Sequence, residues 1–296
     1  MVDGQHRSSP QAGSLTDVSS RIKRDGINWI AVIAFSIVHT GAIAALFFFN
    51  WHAIFTAILL YWVALSLGIG MGYHRLLTHR SYRVAKPVEY FLAICGTLAL
   101  EGGPVFWVST HRLHHQFSDR EGDPHTPRDG KWWSHITWML VGNATQCSLE
   151  ECQRYSPDLM KDPFLVWLSK NNVVPSLVLA ALLLIFGGLP FLLWGTFFRI
   201  TMGLHATWLV NSFTHFWGSR RFDTRDDSRN NWFVALLSFG EGWHNNHHAF
   251  PTSARHGLAW YELDMSWMMI WFLKAIRVAK SVRVAPFPSR TAKLES

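Results

Sequence analysis

At 296 residues the chain would suit one or two soluble domains, yet 49% of it is apolar, only 16% is charged, and it holds 16 Trp and 21 Phe. That composition excludes an ordinary water-facing surface and fits a chain solvated partly by lipid. A formal charge of +7 suits nucleic acid or an anionic membrane surface, and long uncharged runs favour the membrane over nucleic acid.

Residues 1–26 read as a disordered basic arm: polar, Ser/Gly-rich, without a signal-peptide pattern, ending in Arg21, Lys23 and Arg24. From Asn28 to Tyr73 there is no Asp, Glu, Lys or Arg. Such a run holds two spans of about 20 residues each, expected at 28–49 and 52–73 with a turn at Asn50-Trp51-His52. A second uncharged run, Asn171 to Phe198, predicts a span over 174–194, interrupted by Gly187-Gly188-Leu189-Pro190. A fourth follows over 196–216, with Arg199 near its start expected to snorkel to the interface. Val88 to Val108 is apolar enough to span, but Glu101-Gly102-Gly103-Pro104 would break it and bury a carboxylate. We read it as an interfacial or re-entrant helix. Ser266 to Leu273, hemmed by Glu262, Asp264, Lys274 and Arg277, reads as a surface amphipathic helix closing a membrane domain over 27–273. A basic tail, 274–296, carries Lys280, Arg283, Arg290 and Lys293. The turns near Asn50 and Pro190 lack Lys and Arg, so the positive-inside rule puts both ends and the middle segment in the cytosol. Cys95, Cys147 and Cys152 lack CxxC spacing and read as reduced.

Histidines carry the chemistry. His74 and His79 sit where the second span emerges; His111, His114 and His115 follow the re-entrant stretch; His244, His247 and His248 follow a glycine-punctuated turn. Spacings of i, i+3 and i+4 share one helical face. Residues five apart are offset by about 140° in an α-helix, so the first pair needs a helix end or two metals. Asn211 and His215, four apart, lie at the same depth near the end of the last span. Nine imidazoles exceed one ion's needs, so two transition metals are implied. Nitrogen ligation leaves zinc, copper and iron open. Asp119 and Asp123 are candidates to orient imidazoles, or else simple caps. Phe106, Trp107, Trp208 and Trp243 are candidate cavity walls, or else core. His6, His39, His52, His125, His135, His205 and His256 read as hydrogen-bonded structural residues.

The segments HRLLTHR, HRLHHQFSDREGDPHTP, NSFTHFWG and GEGWHNNHHAFP together closely resemble the membrane fatty acyl desaturases of the stearoyl-CoA delta-9 type, over about Ile27 to Leu273. Through ARHGLAWYELDMSW in particular the chain resembles the bacterial acyl-CoA and cyanobacterial acyl-lipid delta-9 enzymes. The resemblance implies an all-α integral membrane fold, four transmembrane helices under a histidine-rich cytosolic cap. It implies iron ligation by His74, His79, His111, His114, His115, His215, His244, His247 and His248, with Asn211 holding an iron-bound water. It further implies insertion of a cis double bond near carbon 9 of a long-chain acyl-CoA or acyl-lipid, using O2 and two electrons, in a bacterial inner membrane. An apolar tunnel would set the position of attack by its depth. No haem-binding HPGG, iron–sulfur spacing or GxGxxG is present, so electrons must come from a separate ferredoxin, rubredoxin or cytochrome b5 with its reductase. Box spacing and flanking residues favour desaturation over a fatty-acid or alkane hydroxylase. A metal transporter or binding protein would place polar residues through the spans, and the first two have almost none.

Overall fold

The computed structural model describes residues 26–142 and 148–286. The expected disordered arm, except Gly26, and the end of the basic tail, with Arg290 and Lys293, lie outside them. Among the described residues the fold is helical, with isolated bridges but no strand. Helix α1 covers Trp29–Ala45 and α2 Trp51–Trp62, which runs without a break into a π-helix over Val63–Thr78. Asn28 and Asn50 cap α1 and α2 by accepting from the amides of Ala31 and Ala53. Next come α3 (Lys86–Thr97), α4 (Pro104–Phe117), α5 (Leu149–Tyr155) and α6 (Pro163–Lys170). Then α7 (Val174–Leu192) continues through a π turn, Leu193–Phe198, into α8 (Arg199–Asn211) and the single turn α9 (Phe213–Phe216). The chain ends in α10 (Trp232–Leu237), α11 (His244–Ala249) and α12 (Met265–Ala275).

Two helical runs, Trp51–Thr78 and Val174–Phe216, are long and apolar enough to cross a membrane; Trp29–Ala45 is apolar but shorter. The second run is bent where Gly188 adopts φ 74°, ahead of Pro190, a conformation that costs glycine nothing sterically. Large apolar side chains on α1, α2 and α7 face outward, Ile30, Phe55 and Phe186 among them. So broad an apolar exterior is what lipid solvates and water does not.

The stretch 88–108 is two helices. Residues 98–103 separate α3 from α4: Leu100 and Gly102 take positive φ, and Pro104 opens α4, where its missing N–H costs nothing. Helix α3 lies directly on the π-helix. A Cβ at Gly68 would strike the backbone of Cys95 and Gly96, so this contact requires glycine.

Two expectations fail. Arg199 does not snorkel: it is 3% exposed. Its Nε donates to the Gly195 carbonyl and its Nη1 to the Leu98 carbonyl at 2.8 Å, closing the C-terminus of α3. A buried guanidinium held by two backbone carbonyls is anchored inside the fold instead of reaching the interface. Cys152 is disulfide-bonded rather than reduced. The lack of CxxC spacing excluded a metal or redox motif, not a structural bond. Cys95 is free and buried, and Cys147 lies outside the described residues.

Candidate metal centre

Helix ends aim the histidines at one place. The π-helix solves the offset of the first pair. Its ladder bonds run from i to i+5, and the His79 amide donates to the His74 carbonyl at 3.1 Å. Residues five apart therefore stack, and the His74 and His79 rings lie 4.8 Å apart. On α4, His111, His114 and His115 emerge over one turn. On α11, begun after a turn with Gly240 at φ 119°, His244, His247 and His248 do the same.

The nine histidines divide into five and four. Ring nitrogens of His74, His79, His111, His115 and His247 all lie within 4.8 Å of one another. Within that group the Nε2 atoms of His74 and His247 are 3.0 Å apart, those of His247 and His115 2.9 Å, and those of His115 and His111 3.0 Å. His114, His244 and His248 form the second group, and His215 Nε2 joins it 3.1 Å from His244 Nε2. Asn211 lines a small cavity together with His74, His111, His114 and His244.

Carboxylates on the far side of the rings decide which nitrogen faces inward. His74 Nδ1 donates to Glu241 at 2.5 Å, His114 Nδ1 to Asp123 at 2.9 Å, His215 Nδ1 to Asp119 at 3.1 Å and His248 Nδ1 to Asp226 at 2.9 Å. Each bond places the proton on Nδ1 and leaves the Nε2 lone pair pointing inward. Asp119 and Asp123 thus orient imidazoles rather than merely capping. Burial would raise these four carboxyls, but their partners hold all four below the usual range: His215 for Asp119, His114 for Asp123, His248 for Asp226, Arg75 and His74 for Glu241. Burial, and then neighbouring imidazoles, push His79, His111, His115, His244 and His247 well below the ordinary histidine value. Neutral imidazole is the form in which histidine can bind a metal.

Lone pairs facing lone pairs at 3 Å repel unless something electron-poor lies between. At a metal–nitrogen distance of about 2.1 Å, ligands at right angles sit about 3.0 Å apart, the spacing seen here. The Nε2 atoms of His79 and His248 are buried without a hydrogen-bond partner. The donor set therefore fits two transition-metal ions, and the all-nitrogen inner ring suits iron as well as zinc or copper.

Four contributors escaped the sequence reading: Glu241, Asp226, His125 and His256. His256 Nδ1 lies 3.3 Å from Glu241 and His125 Nδ1 3.8 Å from Asp123, each behind the carboxylate that steers a cage histidine. Glu241 also accepts from Arg75 at 2.8 Å, and Arg75 bonds Asp264 in turn. A signal existed for Glu241, three residues ahead of a histidine triplet. None existed for His125 or His256, whose role depends on how loops fold back.

The cage lies between two cavities. One, of about 500 Å³, is lined by Phe35, Phe106, Trp107 and Trp208 and touches His111 and Asn211. The other, of about 550 Å³, is polar, with Arg112, Arg120 and Arg225 in its lining, and touches His79, His115 and His248. Trp243 is not a wall of either cavity; it is buried with its Nε1 donating to the Leu263 carbonyl. Trp107 stacks on His111 with ring centroids 4.9 Å apart and donates to Glu101, whose other oxygen accepts from Thr207 at 2.7 Å. Burial raises the Glu101 carboxyl to about 7. An acid raised in the folded state costs stability as pH climbs from its unfolded value toward 7. Glu101→Gln should therefore match the parent at about pH 4, below the unfolded value, and exceed it by up to about 3 kcal/mol at pH 8.5. Thermal unfolding at the two pH values checks this, and equal gains at both would refute it.

Two clusters of imidazole lone pairs backed by carboxylates, with His74, His79 and His215 at the ends of the two helical runs long and apolar enough to cross a membrane, fit a membrane-associated metalloenzyme. Sequence comparison supplies the family: the fatty acid desaturase profile matches residues 49–271. The chain belongs to the fatty acid desaturases. It is 48% identical to an sn-1 stearoyl-lipid 9-desaturase of Anabaena variabilis, over 88% of this chain and 95% of that protein. It is 44% identical to an sn-1 stearoyl-lipid 9-desaturase of Synechocystis over 87% and 81%. It is likewise 44% identical to an acyl-CoA 5-desaturase of Anemone leveillei over 91% and 86%.

Proposed function

We propose that the protein is a di-iron acyl-lipid delta-9 desaturase with His74, His79, His111, His115 and His247 holding one iron and His114, His215, His244 and His248 the other, Asn211 positioning a water. The division of nine inward-facing imidazoles into two groups beside an apolar cavity carries this reading. The iron pair, when bound, supplies the O2 chemistry that an unactivated C–H bond demands. The chain's own residues hold the rest. Carboxylates keep each Nε2 aimed inward, the aromatic walls exclude water, and the apolar cavity aligns the acyl chain so that two adjacent carbons meet the site. Each turnover removes two hydrogens from the chain and, with O2, two electrons and two protons, yields two waters.

Acyl-lipid is preferred over acyl-CoA because the two cyanobacterial relatives carry lipid names, although the Anemone enzyme is named for acyl-CoA. Four spans fit if the long run 174–216 turns at Gly188 and α1 crosses despite its length; both chain ends and the cage then face the cytosol of a bacterial inner membrane. A separate ferredoxin, rubredoxin or cytochrome b5 would deliver electrons, and the arginine-lined polar cavity suits an acidic carrier. Membranes given saturated acyl-lipid or acyl-CoA in parallel, an electron donor and O2 test the assignment. A cis-unsaturated product formed from the lipid is expected. A hydroxylated product would replace desaturase by hydroxylase, and no O2-dependent product would remove both.

A further inference from the structure

Three histidines outside the cage form a hydrogen-bonded chain behind the wall of the apolar cavity. His39 Nδ1 donates to the Phe35 carbonyl at 2.7 Å. His39 Nε2 meets His205 Nε2 at 3.1 Å, His205 Nδ1 meets His135 Nε2 at 3.2 Å, and His135 Nδ1 meets Ser212 Oγ at 3.0 Å. A carbonyl can only accept, so the Phe35 end fixes every proton in a neutral chain. His39 carries its proton on Nδ1 and accepts at Nε2. His205 therefore donates from Nε2 and accepts at Nδ1, and His135 donates from Nε2 and accepts from the Ser212 hydroxyl. Four protons make four bonds, with no charge needed. The Trp208 carbonyl accepts the Ser212 amide at 3.0 Å and, through its second lone pair, the Ser212 hydroxyl at 2.7 Å, so that hydroxyl is shared between Trp208 and His135.

The chain ties three separate elements together: His39 on α1, His205 on α8 and His135 in the turn Trp133–Thr137. Trp208 sits at their junction. Its ring centroid is 5.0 Å from that of His205, 5.7 Å from His135, 5.3 Å from Phe35 and 6.4 Å from His39, on which it stacks at 15°. Trp208 and Phe35 both line the apolar cavity, and Asn211 lies one turn beyond Trp208. All three imidazoles are half-buried where these elements meet, and the continuous chain gives every ring nitrogen a partner. What the chain gains is direction: each ring's orientation is dictated by the next, and together they clamp one wall of the cavity.

We propose that His39, His205, His135 and Ser212 are positioning residues that set where the double bond is placed, by fixing Trp208 and Phe35 against the acyl chain. This rests on the desaturase reading above. An acyl chain in an apolar cavity has no polar handle near the reacting carbons. Its register depends on wall shape, and a wall free to shift by one methylene would spread attack over neighbouring carbons.

The test is the distribution of double-bond positions, read by mass spectrometry of products from the full-length protein in membranes, with iron content and KM measured alongside. His205→Phe keeps a ring but breaks both links; Ser212→Ala removes only the terminal hydroxyl; His39→Gln retains an acceptor for His205. His205→Phe is expected to keep parental iron content, raise KM and lower positional selectivity roughly tenfold. His39→Gln should recover most of that selectivity, and Ser212→Ala should lie between. Unchanged positional selectivity in His205→Phe, whatever its yield, overturns the proposal. Should His205→Phe not accumulate, unchanged selectivity in Ser212→Ala overturns it equally. A parent protein that forms no O2-dependent unsaturated product overturns the desaturase reading, and the proposal with it.

Discussion

His247→Ala is expected to lose at least about a thousandfold in turnover while the protein still inserts. In the proposed assignment His247 is the ligand the first group can least spare. Its Nε2 lies 3.0 Å from that of His74 and 2.9 Å from that of His115, so it joins the π-helix to α4 from a third element. Without it, two lone pairs lose their common neighbour and the fifth vertex of the group is open. Metal analysis of purified protein should show less than two irons per chain, with neighbouring α11 ligands His244 and His248 still tied through His215 and Asp226. Turnover with full iron content would remove His247 from the site.

Glu241→Ala should damage both site and fold. Glu241 is buried, accepts from His74 Nδ1 and receives the Arg75 guanidinium through Nε and Nη2. Removing it frees the His74 ring to flip its proton to the inward nitrogen, for which a loss of about 10–100-fold in metal affinity is expected. It also leaves Arg75, 0% exposed, with Asp264 and the Ala254 carbonyl as partners. Breaking a buried pair from one side costs about 3–5 kcal/mol. Glu241→Gln keeps the shape and one acceptor, and should restore most of the fold but not the iron affinity. Thermal unfolding and iron titration of both variants separate the effects. Equal iron affinity in the parent and in Glu241→Gln would deny the carboxylate any part in steering His74.

Much of the site was legible because its chemistry lies in side chains close in sequence. Three histidine clusters and the Asn211–His215 pair announce themselves by spacing. The break at Glu101–Pro104 and the bend at Gly188 are likewise written in local backbone preference. What could not be read depended on contacts across the chain. His125, Asp226, Glu241 and His256 reach the site only when the segments after α4, α9, α10 and α11 fold over it. His39, His135 and His205 looked like isolated structural histidines, since 166 residues separate His39 from His205. Rules for a helix alone in lipid place Arg199 at the interface; a neighbouring helix end with an open carbonyl at Leu98 changes the balance. The winding of residues 63–78 was hidden too, because an α-helical wheel was assumed.

That winding bears on which changes of length the site can absorb. A π-helix carries one residue more between stacked positions than an α-helix does. Deleting one residue between His74 and His79 would leave the pair four apart, a spacing that an ordinary α-helix aligns without help. Inserting one would outrun both ladders and turn the second ring away. Spacing and helix type are thus interchangeable currencies of alignment. A shorter first histidine pair in a sister sequence should go with an α-helix, and a pair spaced as here with a π-helix.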